Sequence, residues 1–264
     1  MKIVVFIKEI PISNNVKIDP KTNNLVRSGI RGKINPFDEY AIETALQLKE
    51  KFGGTVSVVT MGPESFKLSL HEALAMGCDD AYLISSRAFA GSDTLATAYT
   101  LAQVVRKIGD VDLILTGLKA IDADTGQVGP LIAEELDIPQ ITNASGIVDL
   151  NTDNQTIDVK RQLEVDQEVI RVSYPLVMSV GDEMNTPRYQ TPLGIKKSMQ
   201  QEITVWNEQD IECDQNRIGI KGSPTVVTES FVPEASVRQM TMLEGSPAEA
   251  AETLLNILSE RHII

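Results

Sequence analysis

Short apolar runs alternate with helical patterns over the first half of the chain. Continuous apolar runs are typical of strands buried on both faces of a parallel sheet. Such runs are found at Lys2–Ile7, Thr55–Thr60, Ala81–Ile84 and Val111–Leu115. Between them, apolar residues recur at three- and four-residue spacing, which predicts amphipathic helices. Strands that alternate with helices in this way predict a doubly wound α/β fold with a mostly parallel sheet.

A turn-rich excursion and a well-marked helix start follow the first strand. A hairpin is predicted around Asp19–Asn24 within the excursion. Asn35 then suits a helix N-cap, Pro36 suits the first helical position and Asp38 suits the electropositive first turn. Ser92 is predicted to cap the helix before the fourth strand.

The hydrophobic pattern changes after about Ile141. Short β-type runs separated by turn residues predict hairpins added to one edge of the sheet. These runs are Gly146–Leu150, Thr156–Glu164, Glu168–Ser173 and Leu176–Val180.

Residues 186–245 show little periodicity. A structureless run of this length inside a compact domain is uncommon, so part of it is expected to lie against another chain; a flexible tail is the alternative. Ser246 and Glu249 then form a capping-box pattern that predicts a final helix, whose apolar stripe could pack on the chain's own core or on a partner. We therefore divide the chain into an α/β domain with edge hairpins over residues 1–185 and an extended region with a C-terminal helix over residues 186–264.

The turn after the fourth strand is the best candidate for a ligand site. The strand breaks at Gly117 into a polar turn with Asp122, Asp124 and Thr125, and a new helical pattern begins at Val128. In open α/β sheets, ligands bind outside the carboxyl ends of the strands. Unpaired N–H groups at a helix start favour anionic oxygen such as phosphate. The pattern therefore predicts nucleotide binding.

Composition narrows the classes of function. The formal net charge of -13 counts against nucleic-acid binding. Cys78 and Cys213 are too few for a disulfide framework, and His71 and His262 have no partner at metal or triad spacing. The common dinucleotide, P-loop and hydrolase motifs are absent, so redox chemistry would need a bound cofactor and no side chain is expected to act as acid or base. No apolar run has membrane-spanning length or a signal-peptide pattern, so a soluble, cytoplasmic protein is expected.

Four segments, in the same order along the chain, resemble one known family. They are Phe6–Lys8, Asn35–Asp38, the stretch from Val159 to Ser179, and Asn185–Tyr189. Together with the polar turn, they resemble the β subunit of electron-transfer flavoproteins over nearly the whole chain.

This resemblance implies a heterodimer with an α subunit that holds an electron-carrying FAD. In housekeeping members the β subunit binds only AMP, and the pair accepts electrons from acyl-CoA dehydrogenases. In electron-bifurcating members the β subunit binds a whole FAD, which exchanges a hydride with NADH or NAD+. Electrons are then split, or merged, between a dehydrogenase and a ferredoxin or flavodoxin. A nucleotide sensor of the same fold without a redox role is a third reading.

Cofactor-binding positions carry over from the family residue by residue. They come from the ends of three strands, the polar turn, the start of one helix and a late turn. They are Phe6, Asn35, Pro36, Phe37, Asp38, Met61, Asp93, Thr94, Thr97, Gly117, Leu118, Lys119, Ala120, Ile121, Asp122, Ala123, Asp124, Thr125, Gly126, Gln127, Val128, Ser223 and Thr225.

Three of these stretches favour FAD with NADH over AMP alone. Asp122–Pro130, Asp93–Thr97 and Gly222–Thr225 are similar to runs of bifurcating members. A plain helix cap at Ser92–Thr97 and a plain turn at Ser223–Thr225 are the alternatives.

The resemblance also implies a dehydrogenase contact in a loop after Asn185–Tyr189. Leu193 and Ile195 are the expected apolar anchors, followed by Lys196 and Lys197. This segment departs from the order of leucine, proline and lysines that is usual in the family. The departure counts against an acyl-CoA dehydrogenase as the partner and makes a flavin-dependent 2-hydroxy-acid dehydrogenase an alternative. Simple sequence drift in an exposed loop would also explain it. No nucleic-acid partner and no membrane insertion are expected.

Overall fold

The structure, a computed structural model, describes residues 1–12, 32–228 and 240–264. The hairpin expected around Asp19–Asn24 lies outside the described residues. The chain divides into two compact units, Met1–Thr228 and Glu229–Ile264. The first unit therefore extends beyond residue 185 and includes part of the region that showed little periodicity.

The described residues of the first unit form eleven strands. They are β1 (Lys2–Phe6), β2 (Glu9–Pro11), β3 (Gly32–Ile34), β4 (Thr55–Met61), β5 (Asp80–Ile84), β6 (Leu113–Gly117), β7 (Gln140–Asn151), β8 (Thr156–Gln162), β9 (Gln167–Ser173), β10 (Leu176–Val180) and β11 (Thr204–Trp206).

Nine of these strands form one sheet in the order β11-β5-β4-β1-β6-β10-β7-β8-β9. Neighbours from β11 to β7 are parallel, and β7, β8 and β9 form an antiparallel meander at one edge. The predicted α/β class with a mostly parallel sheet is confirmed. The short strands β2 and β3 pair with each other in a separate antiparallel ribbon.

Six α-helices complete the described residues. They are α1 (Pro36–Phe52), α2 (Lys67–Met76), α3 (Thr94–Ile108), α4 (Val128–Leu136), α5 (Pro192–Ser198) and α6 (Pro247–Glu260). Buried residues of α1 and α2 pack on one face of the sheet, and those of α3 and α4 pack on the other face. The sheet is thus covered on both sides, as its continuous apolar strands require.

Leu176–Val180 is not an edge hairpin strand, contrary to the prediction. As β10 it lies between β6 and β7, parallel to both, and all five of its residues are buried. The chain leaves the parallel sheet through the meander β7–β9 and then returns to its centre. Pairing between strands far apart in sequence cannot be seen in the local pattern, but the unbroken apolar run is consistent with a central parallel strand.

The late segment also adds an edge strand. β11 pairs in parallel with β5 at the edge opposite the meander. The Trp206 ring lies 4.7 Å from the Tyr82 ring, centroid to centroid. This aromatic pair and the backbone pairing explain how a stretch with little periodicity still folds onto the sheet.

Two helix starts differ from the predicted caps. Asp93, not Ser92, caps α3, and its carboxylate accepts hydrogen bonds from Leu95 N and Ala96 N. The Ser92 hydroxyl donates to Phe89 O instead, at 2.8 Å. Asn35 occupies the N-cap position of α1, but its side chain makes no capping hydrogen bond. Because Ser92 and Asp93 are adjacent and both residue types can cap a helix, the sequence defines the start of α3 only to within one residue.

The second unit contains the predicted C-terminal helix. Ser246 and Glu249 form the capping box, with the Ser246 side chain accepting from Glu249 N and the Glu249 carboxylate accepting from Ser246 N. This helix start is therefore confirmed.

Within the described part of the chain, no helix combines the length and apolar character needed to cross a membrane.

Candidate nucleotide-binding site

The candidate site lies where β1 and β6 end side by side. These strands pair in parallel, with Phe6 opposite Thr116. After β1 the chain leads to α1 on one face of the sheet, and after β6 it leads to α4 on the other. Where two adjacent strands connect to helices on opposite faces of a sheet, a crevice forms between the two connecting segments. Ligands of open α/β sheets bind in such a crevice.

The turn that links β6 to α4 presents its backbone to solvent. Residues 121–127 are all exposed. Asp124 and Gly126 have positive φ angles of 55° and 60°, and Asp124 N donates to Ala120 O at 2.8 Å. Glycine adopts such a left-handed conformation without steric cost, while aspartate is one of the few other residues that tolerate it. The turn is therefore bent sharply just before α4 begins.

The start of α4 is suited to an anion. Gln127 is the N-cap residue of α4, and its side chain makes no capping hydrogen bond to the first turn of the helix. The N–H groups of the first turn therefore remain available, and the helix dipole adds partial positive charge. Gly129 lets α4 approach β6, because a Cβ there would lie only 2.9 Å from Thr116 Oγ1.

Thr116 is a polar residue of this region that the sequence did not single out. Its hydroxyl is buried and has no hydrogen-bond partner among the described residues. A threonine at the end of an apolar strand, just before the glycine that opens the turn, is the only signal in the sequence that could have marked it.

Asn35 and Asp38 turn their side chains to the protein backbone. Asn35 donates through Nδ2 to Lys119 O at 2.9 Å and accepts at Oδ1 from Ile121 N at 3.1 Å. Asp38 accepts from Lys8 N at 2.7 Å and from Gly117 N at 3.2 Å. Asn35 therefore occupies the predicted N-cap position, but its amide binds the turn and does not cap α1. Contact of either side chain with a cofactor stays a prediction.

Burial changes the acidity of Asp38. Removal of its carboxyl from water raises its pKa to about 7, although the hydrogen bonds from Lys8 N, Asn35 and Gly117 N act in the opposite direction. A buried carboxylate is costly unless several donors satisfy it. Asp38 can therefore change charge near neutral pH.

Two lysines pair with the aspartates of the turn. Lys8 Nζ lies 2.7 Å from Asp122 Oδ1, and Lys119 Nζ lies 2.8 Å from Asp124 Oδ1. All four side chains are partly exposed, so each pair contributes little to stability. Their effect is to orient the side chains of the turn.

The start of α3 lies next to the start of α4. Thr94 Oγ1 donates to Gln127 Oε1 at 3.1 Å. Thr97, one turn further along α3, is half-buried. Both helices lie on the same face of the sheet, and the Thr94 hydroxyl lies at the uncapped start of α4.

Asp93 ties a late segment to α3. Beyond its capping role, its carboxylate accepts from Thr225 N at 3.1 Å and from Thr225 Oγ1 at 2.8 Å. Asp93 N donates to Ser223 Oγ at 2.8 Å. Burial acts to raise the pKa of Asp93, but the hydrogen bonds from Ala96, Thr225 and Leu95 outweigh it and hold that pKa below its usual value. The structure thus brings Ser223 and Thr225 to the α3 side of the site.

The remaining predicted residues line the same edge. Phe6 is buried and Met61 partly buried in the cluster between the sheet and α3 and α4. Pro36 and Phe37 are half-buried at the start of α1. The residues carried over from strands β1, β4 and β6 and from helices α1, α3 and α4 therefore lie around one end of the sheet.

The segment expected to contact a dehydrogenase is a short helix and not a loop. Thr191 caps α5 by accepting from Gly194 N at 2.9 Å. α5 packs against α2, and Gly194 makes this possible because a Cβ there would collide with Ala75 O. Leu193 is 80% exposed and Ile195 is 37% exposed. The predicted anchors therefore face outward from a fixed support.

The residues before α5 are held by α1. Asn185 Nδ2 donates to Thr44 Oγ1 at 2.8 Å. Arg188 donates to both oxygens of the buried Glu43 carboxylate and pairs with Glu50. The family resemblance included Asn185–Tyr189, but the contacts of this segment with α1 could not be predicted from the spacing of residues in the sequence.

The family model described as the electron transfer flavoprotein domain matches residues 22–211. The chain is 42% identical to an electron transfer flavoprotein subunit beta of Thermoanaerobacterium thermosaccharolyticum, covering 100% of both chains. It is 43% identical to the caffeyl-CoA reductase-Etf complex subunit CarD of Acetobacterium woodii, again over 100% of both. It is 42% identical to protein FixA of Azotobacter vinelandii, covering 99% of this chain and 96% of that protein.

Proposed function

Since this chain belongs to the electron transfer flavoprotein family as a β subunit, we propose that its nucleotide site holds FAD and serves electron bifurcation. The coarser activity, electron transfer in a complex with an α subunit, follows from family membership. The identity of the nucleotide and the involvement of NADH are the proposed parts.

The observation that carries the proposal is the meeting of two helix starts. The uncapped start of α4 can bind one phosphate through Gln127, Val128 and Gly129 N–H groups. The Thr94 hydroxyl lies beside it and contacts Gln127, and Thr97 follows one turn further along α3. A diphosphate needs donors over a longer stretch than the single phosphate of AMP, so this arrangement favours a dinucleotide.

FAD, when bound, would supply the hydride acceptance from NADH and the one-electron transfer. The chain's own residues would bind and orient it. Phe6 and Met61 would provide an apolar floor, and the backbone of the turn would offer donors and acceptors to the adenine edge. We propose that one electron goes on to a flavin-dependent dehydrogenase and the other to a ferredoxin or flavodoxin, in the cytoplasm.

A housekeeping subunit that binds only AMP is the alternative. One observation favours it: the Asp93 carboxylate already occupies Leu95 N and Ala96 N at the start of α3. That start therefore offers no free N–H pair for a second phosphate. The alternative would leave α4 as the single phosphate site.

Flavin stoichiometry separates these two functions. The chain is co-expressed with its α subunit, and the nucleotides released on denaturation of the purified heterodimer are counted. We expect two FAD and no AMP, with NADH bleaching the β-site flavin directly. One FAD with one AMP, and no reaction with NADH, would establish the housekeeping function instead.

A further inference from the structure

Asn35 and Asp38 form a hydrogen-bonded pair at the start of α1. Asn35 is fully buried and Asp38 nearly so. Asn35 Nδ2 donates to Asp38 Oδ1 at 3.0 Å. Neither residue needs this pairing for helix formation, because Asn35 makes no capping hydrogen bond and Pro36 already favours the helix start.

The pair joins three parts of the chain that are distant in sequence. Asp38 accepts from Lys8 N after β1 and from Gly117 N at the end of β6. Asn35 bonds Lys119 O and Ile121 N, both within the turn. One side of the turn is therefore attached to α1 and to the end of β1.

The hydrogen-bond roles within the pair cannot be exchanged freely. The Asn35 amide acts as a donor to two acceptors and as an acceptor from one N–H group. The Asp38 carboxylate acts only as an acceptor, from Lys8 N, Gly117 N and Asn35 Nδ2. An amide at position 38 would bring an NH2 group against an N–H donor, and a carboxylate at position 35 would face Lys119 O.

We infer that Asn35 and Asp38 are a positioning pair, which holds residues 117–121 in the shape that binds the nucleotide without either side chain touching it. Their polar atoms are already engaged by the protein. Among the described residues, the other side-chain contacts of the turn are the partly exposed pairs of Lys8 with Asp122 and Lys119 with Asp124 and the exposed hydrogen bond from Thr94 to Gln127, all of which are weak. The backbone bond from Leu118 N to Val180 O holds the start of the turn but not residues 119–121. Without the pair, the turn would have to be ordered when the nucleotide binds, and affinity would fall. The inference rests on the proposed nucleotide site.

Two single substitutions test it in the heterodimer with the full-length chain. Asp38→Asn and Asn35→Asp are nearly isosteric, so the volume of the buried site is kept. The heterodimer is depleted of β-site nucleotide and titrated with FAD and, separately, with AMP. Each variant is expected to bind the nucleotide that the wild type binds about ten- to a hundredfold more weakly, because buried hydrogen bonds are lost.

The double substitution N35D/D38N distinguishes a cooperating pair from two separate structural residues. Exchanging the two groups restores the hydrogen bond between them and the single negative charge. The carboxylate at position 35 still faces Lys119 O and the amide at position 38 still faces two N–H donors, so the recovery is partial. We expect the affinity to recover at least threefold relative to the weaker single variant. Losses that simply multiply would contradict the cooperating pair.

Glu43→Gln is the matched control. Glu43 is also a buried carboxylate on α1, but it binds Arg188 and not the turn. This variant is expected to lose stability while keeping its nucleotide affinity within about twofold, because additivity holds for separate sites. If Asp38→Asn does not fold, Asn35→Asp alone is compared with Glu43→Gln, since it disturbs the contact with Lys119 O from the other member of the pair.

The outcomes separate this inference from the proposed function. A wild-type heterodimer that binds neither FAD nor AMP in the β subunit contradicts the nucleotide site, and the inference with it. A wild type that binds one of them, with both single variants no weaker than Glu43→Gln, leaves the site in place and overturns the positioning pair.

Discussion

Burial of the Asp38 carboxyl makes the stability of the chain depend on pH. Its pKa rises from 3.8 to about 7, chiefly because the side chain is removed from water. The groups that face it are Lys8, whose ammonium pairs with Asp122, and the N–H donors of Asn35 and Gly117. The folded state therefore binds this proton more tightly than the unfolded state does.

Asp38→Asn should become more stable relative to the wild type as pH rises from about 4 to 7. The stabilisation from a protonated Asp38 is fully present below pH 3.8 and is lost as pH rises through about 7, by at most on the order of 4 kcal/mol. The asparagine cannot ionise. Urea unfolding of both proteins at several pH values measures the difference, and parallel profiles would show that Asp38 does not titrate in this range.

Helix α5 presents apolar side chains on a supported frame. The close approach of Gly194 to Ala75 O fixes α5 against α2, and His71 Nδ1 lies 2.8 Å from Ser198 O. Leu193 projects outward from this frame. A pre-ordered helix loses less conformational entropy on binding than a free loop, so it suits a docking role.

Leu193→Ala should weaken coupling to the dehydrogenase without changing the fold. We expect the KM of an acyl-CoA or 2-hydroxy-acid dehydrogenase for the heterodimer to rise about tenfold, as for an apolar anchor at an interface. Val148→Ala, a similarly exposed residue on β7, is the control. Equal KM values for both variants would place the dehydrogenase contact elsewhere.

Arg188 connects the late part of the first unit to its first helix. It donates to the buried Glu43 carboxylate through Nε and Nη2 and also pairs with Glu50. Burial acts to raise the pKa of Glu43, but the hydrogen bonds from Arg188 and Gln47 outweigh it and lower that pKa. Arg188 therefore helps to hold the segment that leads into α5 against α1, together with Asn185.

Arg188→Ala should destabilise the protein strongly, because Glu43 would be left buried and unpaired. A loss of about 3 kcal/mol in the free energy of unfolding is expected. Arg171→Ala, which breaks an exposed pair with Asp158, should cost much less, because solvent screens exposed charges. Urea unfolding measures both, and similar losses would mean that Glu43 finds another partner or becomes solvated.

Local patterns were sufficient for most elements and failed where a partner lies far along the chain. The strands β1, β4, β5 and β6 were found from their apolar runs, and the capping box of α6 from four residues. β10 was assigned to an edge because its neighbours in sequence are hairpin strands, although its neighbours in space are β6 and β7. β11 is too short to show any period.

The candidate site shows the same division. The polar turn after β6 and the start of α4 could be located from sequence, since a strand end, a glycine and a helix start follow each other there. The use of Asn35 by the turn could not, because Ile121 lies 86 residues further along the chain.

Hydrophobic periodicity and helix-start chemistry depend on neighbouring residues, and they were enough to predict the α/β fold and to locate the polar turn between β6 and α4. The side-chain partners of Asn35, Asp38 and Arg188 depend on which distant backbone and side-chain groups become buried beside them. Most buried polar atoms are paired, and which partner each one takes is decided only when the sheet and its helices have packed.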